Sequence, residues 1–124
     1  MFDRQEIAAS WIKYANSPPL ERTENNPHFW ACEELQDLIR NDPANAWAVI
    51  EAMWAMDSSE RILANIASGP VEEILCLHGA AVIEKIEVTA EKDAVFKKLL
   101  GAVWQNTMPE SIWKRVKTVA GDPF

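Results

Sequence analysis

Apolar residues recur every three or four positions along most of the chain, which is the spacing of one face of an α-helix. The first run follows Asp3, which stands three residues before Glu6 as in a capping box, and it predicts a helix over residues 4–15. Further inward-facing helical stripes are predicted within residues 29–39, 46–54, 62–67, 82–90, 96–104 and 112–116. Because no stretch alternates strictly between apolar and polar residues, the pattern predicts an all-α fold without strands.

Prolines divide this pattern into separate helices, since a proline at the first helical position lacks only an N–H that would be unpaired there anyway. The predicted starts are Asn26-Pro27, Asp42-Pro43, Gly69-Pro70 and Met108-Pro109. Gly79 is predicted to end the helix that Pro70 begins, by adopting a left-handed conformation. The expected architecture is an irregular bundle of about seven or eight short helices. Stacked helical hairpins are a variant of it.

Composition fits one globular domain over residues 1–124, because 48% of the residues are hydrophobic and 25% are charged. The two cysteines, Cys32 and Cys76, form no CxxC pair, so neither a metal site nor a cofactor is expected. No apolar run is expected to cross a membrane, and the first residues lack the features of a secretion signal. The simplest expectation is a cytoplasmic protein with reduced thiols.

Charge is distributed unevenly along the chain. Residues 1–91 contain 16 acidic and 6 basic residues, a net charge of −10, whereas residues 92–124 carry a net charge of +3. A net negative charge opposes binding to nucleic acids and anionic membranes and attracts basic proteins. Solubility is the alternative explanation for such a surface. The residues predicted to bind a partner are Glu33, Glu34, Asp37, Glu72 and Glu73. Trp30 or Trp54, each of which neighbours acidic residues in sequence, is predicted as an exposed aromatic anchor, and a position in the core is the alternative for both.

The segment SGPVEEILCLHG, residues 68–79, holds the best candidates for catalysis. His78 is the best of them because an imidazole can act as an acid or a base in catalysis, but Cys76 is two residues away and would point in a different direction on a helix. Cys32 lies beside carboxylates, which disfavour a reactive thiolate. We therefore interpret the segment as the start and end of one helix, with His78 in a structural role, and predict no catalytic residues.

Four segments together resemble a family of small bacterial proteins known only as a domain of unknown function. They are DPANAW at 42–47, GPVEEILCLHG at 69–79, IEKIE at 83–87 and LLGAVWQNTMPESIWKRV at 99–116. The resemblance extends over roughly Asp42 to Val116. It implies a helical protein of the bacterial cytosol and supplies no catalytic residues.

Three functional hypotheses remain open. The first is a monomeric or weakly dimeric protein-binding module, an immunity protein that neutralises a basic bacterial toxin, by analogy with other small acidic helical proteins. The second is a small hydrolase-like enzyme that uses His78 with a carboxylate from another helix. The third is a regulatory scaffold module with a different partner.

Overall fold

The computed structural model describes residues 3–123, and within them about 76% of the chain is helical and no strand occurs. The predicted all-α class is therefore confirmed. The helices are α1 (Arg4–Ala15), α2 (Phe29–Asn41), α3 (Pro43–Met56), α4 (Glu60–Ile66), α5 (Glu72–Lys92), α6 (Ala94–Leu100) and α7 (Glu110–Val119). A 3-10 turn, Pro19–Glu21, lies between α1 and α2, and a π turn, Ala67–Val71, joins α4 to α5.

The π turn makes α4 and α5 one continuous helical run of 33 residues, Glu60–Lys92. Residues 3–123 therefore contain six separate helical rods besides the 3-10 turn, fewer than the predicted seven or eight. The predicted helix start at Gly69-Pro70 is wrong, because Pro70 lies inside this run. A proline ring collides with the preceding turn of a regular α-helix, and the wider π turn gives it room.

Gly79 does not end a helix, contrary to the prediction. It is buried within α5, and no glycine among residues 3–123 has a positive φ. The run bends one residue earlier, at His78, where φ is −133° and ψ is 28°. A Cβ at position 79 would lie 3.1 Å from Cγ2 of Ile112, so any side chain there would require Ile112 of α7 to shift by a few tenths of an ångström.

Side-chain caps fix several helix starts, including those predicted at Asp3 and Asp42. The capping residues are Asp3, Asp42, Ser59 and Asp93, each of which accepts a hydrogen bond from a backbone N–H of the following turn. The start predicted at Asn26-Pro27 is wrong by two residues. Asn26 instead forms a turn, in which its side chain accepts from the N–H of His28 and its carbonyl accepts from that of Phe29.

Helices α1, α2 and α3 pack against one another, and α7 packs across α5. An aromatic cluster fills part of the core, with the Trp47 ring edge-on to Phe96 at 5.4 Å and the Trp54 ring stacked on Phe96 at 4.7 Å. The indole N–H of Trp54 donates to Asp93 at 3.0 Å, which ties α3 to the start of α6. That of Trp47 is buried and has no acceptor within residues 3–123.

The run Glu60–Lys92 is long and apolar enough to cross a membrane by length and composition alone, with a mean hydropathy of 1.3 in its most apolar window. This corrects the expectation that no apolar stretch reaches such a length. Half of that window (50%) is buried inside the protein, as in the core helix of a globular domain, so the run is weak support for a membrane span.

Candidate functional site

Two of the predicted partner-binding residues line one open cavity of about 450 Å³. Its lining includes Glu72 and Glu73 at the start of α5 and Arg40 of α2. Cys76 and Leu77, which is 54% exposed, continue the wall one turn further along α5. We call this cavity the acidic cleft.

The charge of the acidic cleft is only partly compensated. Asn106 donates its side-chain amide to Oε1 of Glu72 at 2.8 Å, which is a bond to a neutral group. Glu73 is partly buried as a residue, and its carboxylate has no hydrogen-bond or ion-pair partner within residues 3–123. A carboxylate without a partner is free to accept a charge-assisted hydrogen bond from an incoming cation.

The other predicted acidic residues are distributed over different surfaces. Glu33 and Asp37 are four residues apart on the exposed face of α2, so they are neighbours there but do not line the acidic cleft. Glu34 lies in a separate cavity, which it shares with Arg4 of α1 and Asp42. The predicted set is therefore not one patch.

The predicted aromatic anchors are not the most exposed tryptophans. Trp54 is only 6% exposed, so its prediction as an exposed anchor is wrong, and Trp30 is half-buried and packs against the core. Trp104 was predicted to point inward and is instead 77% exposed. It lies outside α6, because that helix ends at Leu100 and the chain then turns.

Trp104 borders the larger cavity of about 720 Å³, which we call the Trp104 groove. Its lining also includes Val103, Trp113, Val116 and Lys117. The ammonium group of Lys117 lies 5.9 Å from the centroid of the Trp113 ring, at the distance of a cation–π contact. The groove therefore combines apolar walls, two indole rings, a lysine and the acidic residue Asp122.

Close backbone packing closes one end of the Trp104 groove. A Cβ on Gly101 would lie 2.1 Å from the carbonyl oxygen of Gly121, so only glycine fits at position 101. The N–H of Gly121 donates to the carbonyl of Lys97 at 2.9 Å, which holds the segment after α7 against α6. These contacts give the loop that carries Trp104 a fixed base.

The candidate catalytic side chains are engaged or protonated. Nε2 of His78 lies 2.6 Å from the carbonyl oxygen of Ile39, so this hydrogen bond holds the imidazole against α2. Burial raises the pKa of the Cys32 thiol to about 11, and the charge of Glu33 adds to the effect, while a backbone hydrogen bond opposes it. No group of three potential metal-ligating side chains occurs within residues 3–123.

These features define a class: an all-α protein with an acidic cleft beside a tryptophan-lined groove. A family model described as a family of unknown function (DUF6869) matches residues 18–123, and the chain belongs to that family. The match confirms the predicted resemblance to a domain of unknown function, whereas the bacterial origin and the specific motifs stay predictions. No curated protein and no solved structure matches the chain.

Proposed function

We propose that the protein is a non-catalytic protein-binding module that takes a basic segment of a partner into the acidic cleft. The observation that carries this proposal is the carboxylate of Glu73, which has no partner within residues 3–123 and lines the cleft beside Glu72. A lysine or arginine of the partner would give both carboxylates a charged hydrogen-bond donor.

Two further observations favour binding over catalysis. The imidazole of His78 is already bonded to the carbonyl of Ile39, and a thiol with a pKa of about 11 is protonated at neutral pH. Binding to a basic surface needs no reactive group. It needs complementary charge, which raises the association rate by steering the encounter.

The specific form of the proposal is an immunity protein that neutralises a bacterial toxin by covering a basic surface on it. The net charge of −10 over residues 1–91 supports this form, because a strong field of one sign speeds the capture of an oppositely charged protein. Its setting is the bacterial cytoplasm, where a toxin must be neutralised before it harms the cell that makes it.

The test compares two variants of equal charge. Glu72→Gln with Glu73→Gln removes two negative charges from the cleft and keeps side chains of the same shape. Glu24→Gln with Glu91→Gln removes two exposed negative charges that line neither the acidic cleft nor the Trp104 groove. A partner is first captured from native cells with the wild-type chain and identified by mass spectrometry, and its binding kinetics are then measured with each variant.

The cleft variant should lower the association rate at least about threefold, since charge steering accelerates encounter by about 10-fold to 1,000-fold in all. The control variant should change it less. Equal rates for wild type and the cleft variant would remove the acidic cleft from the proposal. For the immunity form, expression of the captured protein alone should stop growth, and co-expression with the wild-type chain should restore it.

A further inference from the structure

A smaller cavity of about 200 Å³ borders the acidic cleft and shares Gly69 and Glu73 with it. We call it the Trp11 cavity, after the α1 residue that helps to line it. The π turn contributes Pro70 as well as Gly69. Its remaining lining residues recur at helical spacing on one face of α2, and they are Cys32, Leu35, Gln36 and Ile39.

Gly69 is not required by the packing or the backbone of the π turn. A Cβ built on it would meet no other atom within 4 Å, and its φ is not positive. Glycine within a helical run is less favourable than alanine, because it loses more conformational freedom on folding. What its bare backbone provides is open space beside both cavities, where another chain can approach closely.

The Trp11 cavity contains one charged residue among those of residues 3–123 that line it. This residue is Glu73, whose carboxylate has no partner within that range, and Arg40 lines the acidic cleft but not the Trp11 cavity. Cys32 adds no charge at neutral pH, because its thiol is protonated there. Gln36 contributes an exposed amide. The buried apolar walls are Trp11, Leu35, Ile39 and Pro70.

We infer that the Trp11 cavity takes the side chain of a lysine of the partner, whose methylene stem packs against Trp11 and Ile39 while its ammonium group bonds to the carboxylate of Glu73. A lysine side chain combines such an apolar stem with a charged end. This inference rests on the proposed function, and it specifies the side chain that the basic segment of the partner places beside Glu73.

The size of the Trp11 cavity favours lysine over larger side chains. If each non-hydrogen atom takes about the 30 Å³ of a water molecule, the side chain of lysine needs about 150 Å³ and that of arginine about 210 Å³. The cavity holds about 200 Å³. A guanidinium group also carries five N–H donors, whereas the side-chain oxygen acceptors in the lining are those of Glu73 and Gln36.

Charge favours lysine over apolar side chains of similar size. A leucine or methionine would fit into the cavity, but it would take the carboxylate of Glu73 out of water without giving it a hydrogen-bond donor, which is unfavourable. An ammonium group donates to that carboxylate instead.

Titration with n-butylammonium chloride tests the inference, because this ion has the four carbons and the nitrogen of a lysine side chain. The full chain, labelled with nitrogen-15, is titrated at neutral pH and constant ionic strength. Two comparison probes are 1-butanol, which has the same size without the charge, and n-propylguanidinium, which corresponds to arginine. The signals followed are the indole N–H of Trp11 and the backbone N–H of Gly69, with the indole of Trp104 as a reference outside the cavity.

The n-butylammonium ion should shift the Trp11 and Gly69 signals in a saturable way. Both comparison probes should bind at least about tenfold more weakly, and Glu73→Gln should weaken n-butylammonium binding by a similar factor, because a hydrogen bond to a charged group is lost. Glu72→Gln is the matched control, since it removes a neighbouring charge that does not line the Trp11 cavity, and its effect should stay within about threefold. Gly69→Leu should abolish binding, and urea unfolding checks that this variant folds; if it does not, the comparison of Glu73→Gln with Glu72→Gln decides.

The partner captured from cells identifies the source of the ammonium group. Its Kd should rise at least about tenfold with Glu73→Gln and less with Glu72→Gln. Equal effects of these two variants on the partner, together with selective binding of the probe, would assign the cavity to a free amine and overturn the inference. Absence of shifts, or 1-butanol that binds as tightly as n-butylammonium, would overturn it as well. These outcomes leave the proposed function standing, because its own test is the association rate of the double glutamine variant.

Discussion

Replacement of Gly79 by alanine tests whether this glycine is required by packing or by backbone conformation. The added Cβ would lie 3.1 Å from Cγ2 and 3.2 Å from Cγ1 of Ile112, both inside the distance of about 3.5–4.0 Å at which carbon atoms attract. Overpacking of this kind costs about 2 kcal/mol. Alanine recovers about 1 kcal/mol because it favours a helix more than glycine does. The net expectation is a loss of about 1 kcal/mol in the free energy of unfolding.

Truncation of Ile112 separates these two contributions. In an Ile112→Ala background both γ carbons are gone, so Gly79→Ala should stabilise the protein by about 1 kcal/mol through helix propensity alone. The difference between the two backgrounds predicts a coupling of about 2 kcal/mol between the positions. Ile112→Val is the matched control, since valine keeps both γ carbons, and Gly79→Ala should remain destabilising there.

Urea unfolding followed by far-ultraviolet circular dichroism measures all the variants. A domain of this size has about 5–15 kcal/mol of stability, so the variants should still fold. If Gly79→Ala has the same effect in the wild-type and Ile112→Ala backgrounds, within about 0.5 kcal/mol, then the contact does not explain the glycine and the reasoning fails.

Three further predictions concern the loop and the thiol. Gly101→Ala should displace Gly121 and make the carboxyl terminus more sensitive to carboxypeptidase, and an unchanged digestion rate would contradict the 2.1 Å approach. Asn106→Ala and Asn106→Gly both lose the bond to Glu72, but only glycine accepts a positive φ without strain. The alanine variant should therefore be about 1 kcal/mol less stable to urea than the glycine variant, and equal stabilities would argue against that strain. With Cys76 replaced by serine, Cys32 should react slowly with iodoacetamide at about pH 8, because roughly 0.1% of a thiol with a pKa of about 11 is ionised there. Fast labelling would refute the raised pKa.

Local signals predicted much of the fold. Asp3, Asp42, Ser59 and Asp93 cap helices because their side chains bond to N–H groups only two or three residues away, and such bonds can be inferred from neighbouring residues alone. The bounds of α1 were predicted correctly for the same reason.

Elsewhere, long-range packing overrides the local signals of helix starts and ends. Gly79 has the sequence features of a helix end, but Ile112, more than thirty positions away, accounts for the glycine. Gly69-Pro70 likewise matches a helix start, yet the apolar faces of α4 and α5 both pack into the core and keep the run continuous through a π turn. Competition between local propensity and tertiary contacts is decided by the larger buried surface.

Sequence predicted the residues of the candidate site where they are neighbours along the chain, and it missed those whose exposure depends on tertiary packing. Glu72 and Glu73 were predicted together because they are adjacent in sequence, and the structure places them in one cleft. Trp54 was selected because an acidic residue precedes it closely in sequence, a criterion that says nothing about burial. Trp104 continued the apolar spacing of Leu100, so it was assigned to a helix that in fact ends there. The sequence signal that could have revealed this helix end is Gly101, since a glycine after an apolar run often ends a helix.

The loop between α6 and α7 determines how the acidic cleft and the Trp104 groove are related. It begins at Gly101, where contact with Gly121 fixes its base, and it turns at Asn106, whose side chain bonds to Glu72. Because Trp104 lies between these two fixed points, its indole is exposed on a restrained backbone and would lose little conformational freedom when a partner covers it. A rigid aromatic group that is already positioned contributes more of its contact energy to affinity than one that must first be ordered. The loop therefore holds Trp104 both exposed and already positioned, whereas Trp30 and Trp54 are restrained on helices but packed against or within the core.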